Sequence, residues 1–160
     1  MNGKIHDPTT IISEDELALH ETSRIDSFCL INARGGAIID SESVIHAGTH
    51  LVGNGAFEMR PRSVITYNCV ILTTTADLRY PSSSVVPEKY RQNITKKVTF
   101  GRETFVGSGS VIMPGVTLGD GACVAANSYV DEDVPEWSIR LPDGSLKDRE
   151  ISSDAEFESR

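Results

Sequence analysis

Counted in sixes from Phe100, the chain places a large apolar residue at every step: Phe100, Val106, Ile112, Leu118, Val124 and Val130. Four positions further on stand Thr104, Ser110, Val116, Ala122 and Ser128, all small or compact. A helix repeats its apolar face every three to four residues and a flat strand alternates in twos, so neither yields a period of six. A coil of short strands and tight turns does. In such a solenoid each hexad is one flat side, the large residue fills the centre and the small one sits where the wall turns. Gly107, Gly109, Gly115, Gly119 and Gly121 fall between them, where the turns are expected.

Upstream the same pattern runs through Ile25 and Ile31, slips by two residues, and resumes at Ile39, Ile45, Leu51 and Phe57. Cys29, Gly35, Ser43, Thr49 and Gly55 occupy the small phase. A second slip at Arg60-Pro61-Arg62 moves the phase to Ile65 and Ile71, with Cys69 and Thr75 following. Such slips predict a corner that bulges outward. The pattern stops over residues 73–97, which hold two prolines, three consecutive serines and several charges. This stretch reads as a loop expelled from the coil. Loops of this length are more often functional than idle, so it is a candidate lid or substrate-facing segment, with a tolerated insertion as the other reading.

Residues 1–24 do not follow the hexad rule as read from Ile25, and Ser13-Glu14-Asp15-Glu16 ahead of Leu17, Ala18 and Leu19 predicts a short capped helix closing the open end of the coil. Asp131-Glu132-Asp133-Val134-Pro135 ends the repeat. The expected organisation is therefore a capping segment 1–24, an all-β parallel helix domain 25–139 and a C-terminal extension 140–160 whose end frays.

Composition narrows the function. The chain has 160 residues and a formal charge of −8, much of the negative charge falling between Asp148 and Glu158. One domain suffices, and the lack of a basic face argues against a nucleic-acid partner. Neither a signal peptide nor a bilayer-length apolar run is present, so a soluble, cytoplasmic protein with no integral membrane segment is expected. Cys29, Cys69 and Cys123 suit neither a disulfide framework nor a thiolate metal site. The first two occupy the small phase of the repeat and read as buried small hydrophobes.

The segment VGSGSVIMPGVTLGDGACVAANSYVDEDVPEWSI resembles the hexapeptide-repeat acyltransferases. Within them, Thr73-Thr74-Thr75-Ala76-Asp77 leading into Val86-Pro87-Glu88-Lys89-Tyr90-Arg91-Gln92-Asn93 is similar to the sugar acyltransferases of surface-polysaccharide clusters. The resemblance covers roughly residues 25–149. It implies a left-handed β-helix, a homotrimer with sites between subunits, and acetyl transfer from acetyl-CoA to a hydroxyl or amine of a sugar or nucleotide sugar, as in lipopolysaccharide assembly. The rival reading is a hexapeptide coil kept only as a scaffold. A carbonic-anhydrase-like coil needs three histidines at an interface, whereas only His46 and His50 lie in the repeat region, so no metal is expected.

Acyl transfer needs a base for the attacking group's proton and donors for the carbonyl oxygen. Histidine suits the first role near neutral pH. His46 follows inward Ile45 and His50 precedes inward Leu51, so both point outward or along a corner. The resemblance around Ala47-Gly48-Thr49-His50-Leu51 makes His50 the first candidate base and His46 the second. Asp77 is expected to orient the histidine, hold a sugar hydroxyl or cap a turn. For coenzyme A, the resemblance implies wall contacts at Ser108, Gly109, Ala126 and Ser128, and phosphate contacts at Lys147 and Arg149. The sequence departs from the family at Asp131-Glu132, where a basic residue is usual, and at Leu141-Pro142-Asp143-Gly144.

Overall fold

The computed structural model describes residues 3–151, so residues 152–160 of the expected tail lie outside the described residues. Three parallel sheets form the sides of a tube. Face one contains Lys4–Ile5, Arg24–Ile25, Val44–Ile45, Val64–Ile65, Phe105–Val106, Cys123–Val124 and Ser138–Arg140. Face two contains Thr10–Ile12, Leu30–Asn32, His50–Val52, Val70–Leu72, Val111–Ile112 and Tyr129–Val130. Face three contains Leu17–Leu19, Ala37–Ile39, Phe57–Met59, Val98–Phe100 and Thr117–Leu118.

The hexad residues point inward as expected. Ile25, Ile31, Ile45, Leu51, Ile65, Ile71, Val106, Ile112, Leu118, Val124 and Val130 are essentially inaccessible to solvent. Burying each such side chain is worth about 1.5–3 kcal/mol, and the columns together make one continuous core. The small phase closes the corners with polar ladders. Ser23 Oγ donates to Asp40 O at 2.6 Å and accepts from Ser43 N at 2.9 Å, and Ser63 Oγ donates to Gly101 O at 2.8 Å. Cys29 and Cys69 are buried here too, and burial pushes both thiols above their ordinary value.

The slips have a simple geometric origin. Arg24 pairs with Lys4 and Val44, and Val44 with Val64, so a coil takes 20 residues. Two sides are hexads; on face three, both Ala37 and Ile39, both Phe57 and Met59, and both Val98 and Phe100 point inward. That side is two residues longer. After Phe100 the third side contracts to Leu118 alone, and the spacing falls to 18 residues, as between Ser110 and Ser128. The wide section is filled by Phe57 against Phe100, edge to face, with centroids 5.4 Å apart.

Corner chemistry is equally regular. At most corners that follow faces one and three, the third residue after the inward position adopts the left-handed conformation: glycine at Gly48 (φ +76°) and Gly109 (φ +73°), but Glu42 (φ +56°), Arg62 (φ +60°) and Phe28 (φ +62°) elsewhere.

Both ends differ from expectation. Residues 4–19 supply the first coil rather than a helical cap: Lys4–Ile5, Thr10–Ile12 and Leu17–Leu19 pair in parallel with the next coil. The predicted helix is a single 3-10 turn, Glu14–Glu16, and Ser13 is left-handed (φ +58°) with no side-chain cap bond. It is a corner, its acidic residues facing water. The expelled loop, by contrast, is present and partly ordered by its own pairing: Thr74–Ala76 runs antiparallel to Asn93–Thr95. At the other end, Leu146–Asp148 folds back antiparallel on Ser138–Arg140, so the extension covers the final strand of face one. Arg140 takes the inward place above Val124, 8% exposed, with its guanidinium 3.5 Å from Asp131.

Phe100→Ala is expected to cost about 3–5 kcal/mol, because the wide side has no other group to close the gap. Denaturant unfolding at fixed protein concentration checks this, and a loss below about 1 kcal/mol would mean that the side is not filled by these rings.

Candidate active site

Residues just after each face-one strand stack along one corner, because every coil returns to the same register. From the first coil onward the positions are His6, Asp26, His46, Thr66 and Gly107, each donating its backbone N–H to the next coil: His6 N to Ile25 O, Asp26 N to Ile45 O, His46 N to Ile65 O. The side chains of neighbouring coils are thereby brought into contact. His46 Nδ1 lies 2.8 Å from Asp26 Oδ2. On the other carboxylate oxygen, Arg24 Nε donates at 3.0 Å, and His6 Nδ1 lies at 3.4 Å. Tyr67 from the next coil stacks on the His46 ring, centroids 4.8 Å apart and planes 24° from parallel.

An ionised carboxylate only accepts hydrogen bonds, so His46 carries its proton on Nδ1 toward Asp26 and leaves Nε2 as the basic nitrogen. The imidazole is half-buried, its side chain 21% exposed. Such a pair can accept a proton from an attacking amine or hydroxyl and hold the resulting charge beside the Asp26 carboxylate.

The sequence-derived candidates separate into two groups. His46, Ser108, Gly109 and Ala126 lie along this corner, with Ser108 Oγ 3.0 Å from Thr66 Oγ1 and Ala126 exposed. His50 lies close by but on face two, between Leu30 and Val70, exposed, with no hydrogen bond to its ring among the described residues. It borders a shallow groove with Pro8, Thr9, Phe28 and Leu30. Ser128 turns inward: it is 1% exposed, its hydroxyl donates to Ala125 O at 2.6 Å, and its carbonyl accepts from Val111 N at 2.9 Å. Arg149 is tied to the coil, donating to Gly121 O at 2.7 Å and Glu103 O at 3.1 Å and lying over Trp137. Lys147 is exposed on the terminal strand. Asp26, Arg24 and Tyr67 did not emerge from the hexad reading.

Comparison with known proteins agrees with this architecture. Residues 97–132 match the family described as hexapeptide repeat of succinyl-transferase. A dTDP-4-amino-4,6-dideoxy-D-glucose acyltransferase of Escherichia coli is 28% identical over 144 residues, 88% of this chain and 74% of the relative. AntD, an N-acyltransferase from Bacillus cereus solved with dTDP and 3-hydroxybutyryl-CoA, superposes with a TM-score of 0.82 at 26% identity, over 90% of this chain and 77% of AntD. A probable macrolide acetyltransferase of Lysinibacillus sphaericus is 32% identical over 64% of this chain and 53% of its own length. In its repeat and along most of its length the chain is similar to hexapeptide-repeat acyltransferases.

The tube is accordingly a parallel β-solenoid of the kind these acyltransferases share. Its loop leaves from the corner between faces two and three, on the far side of face two from His46. Asp77 sits at the loop's base, 8% exposed, its N–H bonded to Gln92 O at 2.9 Å. Its carboxylate is gripped by Arg79, with Nη2 at 2.6 Å and Nε at 2.9 Å. Within the monomer Asp77 therefore orients Arg79 and the loop turn rather than either histidine. No group of three or more histidine, cysteine or acidic side chains suited to a metal exists among the described residues.

The Arg79 side chain, and then its backbone N–H, hold the Asp77 carboxyl below the usual carboxylate range. A depressed folded-state pKa gives stabilisation present above the unfolded value and lost as pH falls through the folded one. The loop base is thus expected to keep its ion pair at pH 4, and Arg79→Gln to return Asp77 to the ordinary range. Carboxyl carbon shifts followed by NMR titration check both; an Asp77 titration unmoved by Arg79→Gln would refute the cause.

Proposed function

We propose that this acyltransferase moves an acyl group, acetyl in the first instance, from coenzyme A to the amine or hydroxyl of a nucleotide-linked sugar. The amine of a dTDP-linked aminosugar is the favoured acceptor. The observation that carries the reading is the likeness, along nearly the whole tube, to two proteins whose names join an acyl transfer to a dTDP-linked substrate or ligand. The corner geometry supports the chemistry. Coenzyme A supplies an activated thioester carbonyl, and the chain must deprotonate the attacking group and accommodate the pantetheine arm.

His46 is the preferred base over His50, because a base needs a defined tautomer and, of the two, only His46 has a carboxylate partner among the described residues. Small side chains at Ser108, Gly109 and Ala126 continue the same corner and leave room for a ligand lying flat along it. Lys147 remains as the exposed cation for a phosphate; Arg149 helps to build the wall beneath it.

A homotrimer fits the outer surface. The outward row of face two is Leu30, His50, Val70, Val111 and Tyr129, with Val52 and Leu72 beside it, a largely apolar strip on a soluble-type fold. Cytoplasmic polysaccharide or nucleotide-sugar assembly is the setting such an acceptor implies; no helix among the described residues is long and apolar enough to cross a membrane.

Incubation with acetyl-CoA and dTDP-4-amino-4,6-dideoxyglucose should release thiol only when both are present, and no acceptor-dependent release across a panel of nucleotide aminosugars and sugars would overturn the reading. His46→Ala should lower kcat by about 10²–10⁴ with an unchanged melting midpoint, whereas His50→Ala should act mainly on the KM of the acceptor. Sedimentation equilibrium should give about three times the 17.4 kDa chain mass, and Val70→Glu should shift it toward the monomer; a monomeric wild type would remove the trimer.

A further inference from the structure

The corner holds one more polar group than a lone base requires. Asp26 lies one coil before His46, and its two oxygens are divided: Oδ2 at 2.8 Å from His46 Nδ1, Oδ1 at 3.0 Å from Arg24 Nε. The division matters, because a carboxylate held at one oxygen by a guanidinium cannot rotate away from the imidazole without losing that bond. Arg24 itself stands on the outward side of face one, in register between Lys4 and Val44. The imidazole is fixed on its other face by Tyr67. Ring plane, tautomer and carboxylate orientation are thus set by three side chains, Arg24 and Asp26 from the coil before His46 and Tyr67 from the coil after it.

We propose that Asp26, held by Arg24, is a positioning residue for His46: it selects the Nδ1–H tautomer and so keeps Nε2 free to take the proton of the attacking amine or hydroxyl. This rests on the proposed acyl transfer with His46 as base. The proton balance is closed. Nε2 receives the proton as the nitrogen or oxygen bonds to the acyl carbon, the carbon–sulfur bond of the thioester breaks, and the imidazolium returns that proton to the departing sulfur. Asp26 stays ionised throughout, accepting from Nδ1 in both protonation states of the ring. An isolated imidazole favours the Nε2–H form, in which the nitrogen facing the substrate carries a proton and cannot serve as base, so the selection has a chemical consequence. Among the described residues two further titratable groups lie near Asp26: His6, Nδ1 at 3.4 Å from Oδ1, and the buried Cys29 thiol, which feels the Asp26 charge.

The test joins a spectroscopic readout that needs no turnover to steady-state kinetics on the full chain. Nitrogen-15 imidazole spectra of the wild type should show His46 as Nδ1–H, identified by its loss in His46→Gln. In Asp26→Asn and Asp26→Ser the Nε2–H form should appear, kcat should fall by about 10²-fold or more, and the KM for acetyl-CoA should stay within about twofold. Asp26→Glu should recover part of both signals, and Arg24→Gln should give an intermediate loss. An unchanged tautomer in both Asp26 variants, or a changed tautomer with unchanged kcat, overturns the assignment. A wild type that shows the Nδ1–H tautomer but no acyl transfer with any acceptor refutes the proposed function instead, so the two failures are told apart. Thermal melting separates either from simple unfolding; Asp26 lies on the half-buried corner, and both its variants should melt near the wild type.

Discussion

The hydrogen-bonded register between successive coils is the constraint on which everything else in this molecule depends. Backbone N–H groups along the strands reach carbonyls one coil away, as from Arg24 N to Ser43 O and from Val44 N to Ser63 O. A residue is therefore fixed above its counterpart one coil earlier, and like stands on like. The isoleucine column of face one, Ile25, Ile45 and Ile65, is one product of that rule, and the serine ladder Ser23, Ser43 and Ser63 is another. Parallel pairing alone would not demand such uniform columns. They arise because a tube has no second sheet against which a misplaced side chain could be buried, so a slip of one residue would send a whole column into water.

The same register explains how the tube tolerates a change of girth. With a 20-residue coil the third side is wide enough for two inward residues, and Phe57, Met59, Val98 and Phe100 occupy it. The loop leaves in this coil, between Ile71 on face two and Val98 on face three, just before the side narrows to Leu118. An insertion here costs the stack little, since Thr74–Ala76 and Asn93–Thr95 satisfy one another's backbone groups and Val98 rejoins Phe57 in register. The ends of the excursion are held close, while the residues between them remain free to meet whatever approaches the corner.

Much of this was legible in the chain because a period of six is a strong and unusual signal. Reading inward residues from Ile25 to Val130 needed no structure, and the slips at residues 33–38 and 60–62 were visible even though their meaning, a longer third side, was not. The first coil was missed for a local reason. Ile5, Ile11 and Leu17 keep the period, yet Ser13-Glu14-Asp15-Glu16 carries the composition of a helix start, and the left-handed corner at Ser13 leaves no trace in residue type. The candidate site was half legible. His46 could be seen as a corner residue, but Asp26 is 20 positions away, and only the coil length turns that separation into a 2.8 Å contact. Had the spacing of His6, Asp26 and His46 been read against a coil rather than a hexad, the cluster would have stood out. Ser128 and Arg149 were placed by analogy, and the structure turns one inward and ties the other to backbone.

The contrast between His46 and His50 shows why a corner, rather than a flat side, gives a side chain polar partners in such a fold. On a face, neighbours above and below are fixed in register and point the same way, so His50 meets Leu30 and Val70 side by side and gains no polar partner among the described residues. At a corner the chain turns, side chains splay, and a residue can lean toward the previous coil. His46 leans onto Asp26 while Tyr67 leans back over it from the following one. Three coils thus converge on one imidazole, although none of them departs from the repeat. The scaffold's uniformity and this cluster then have a common source: repetition supplies the stacking, and three side chains at the corner, Asp26, His46 and Tyr67, turn it into a hydrogen-bonded and stacked group.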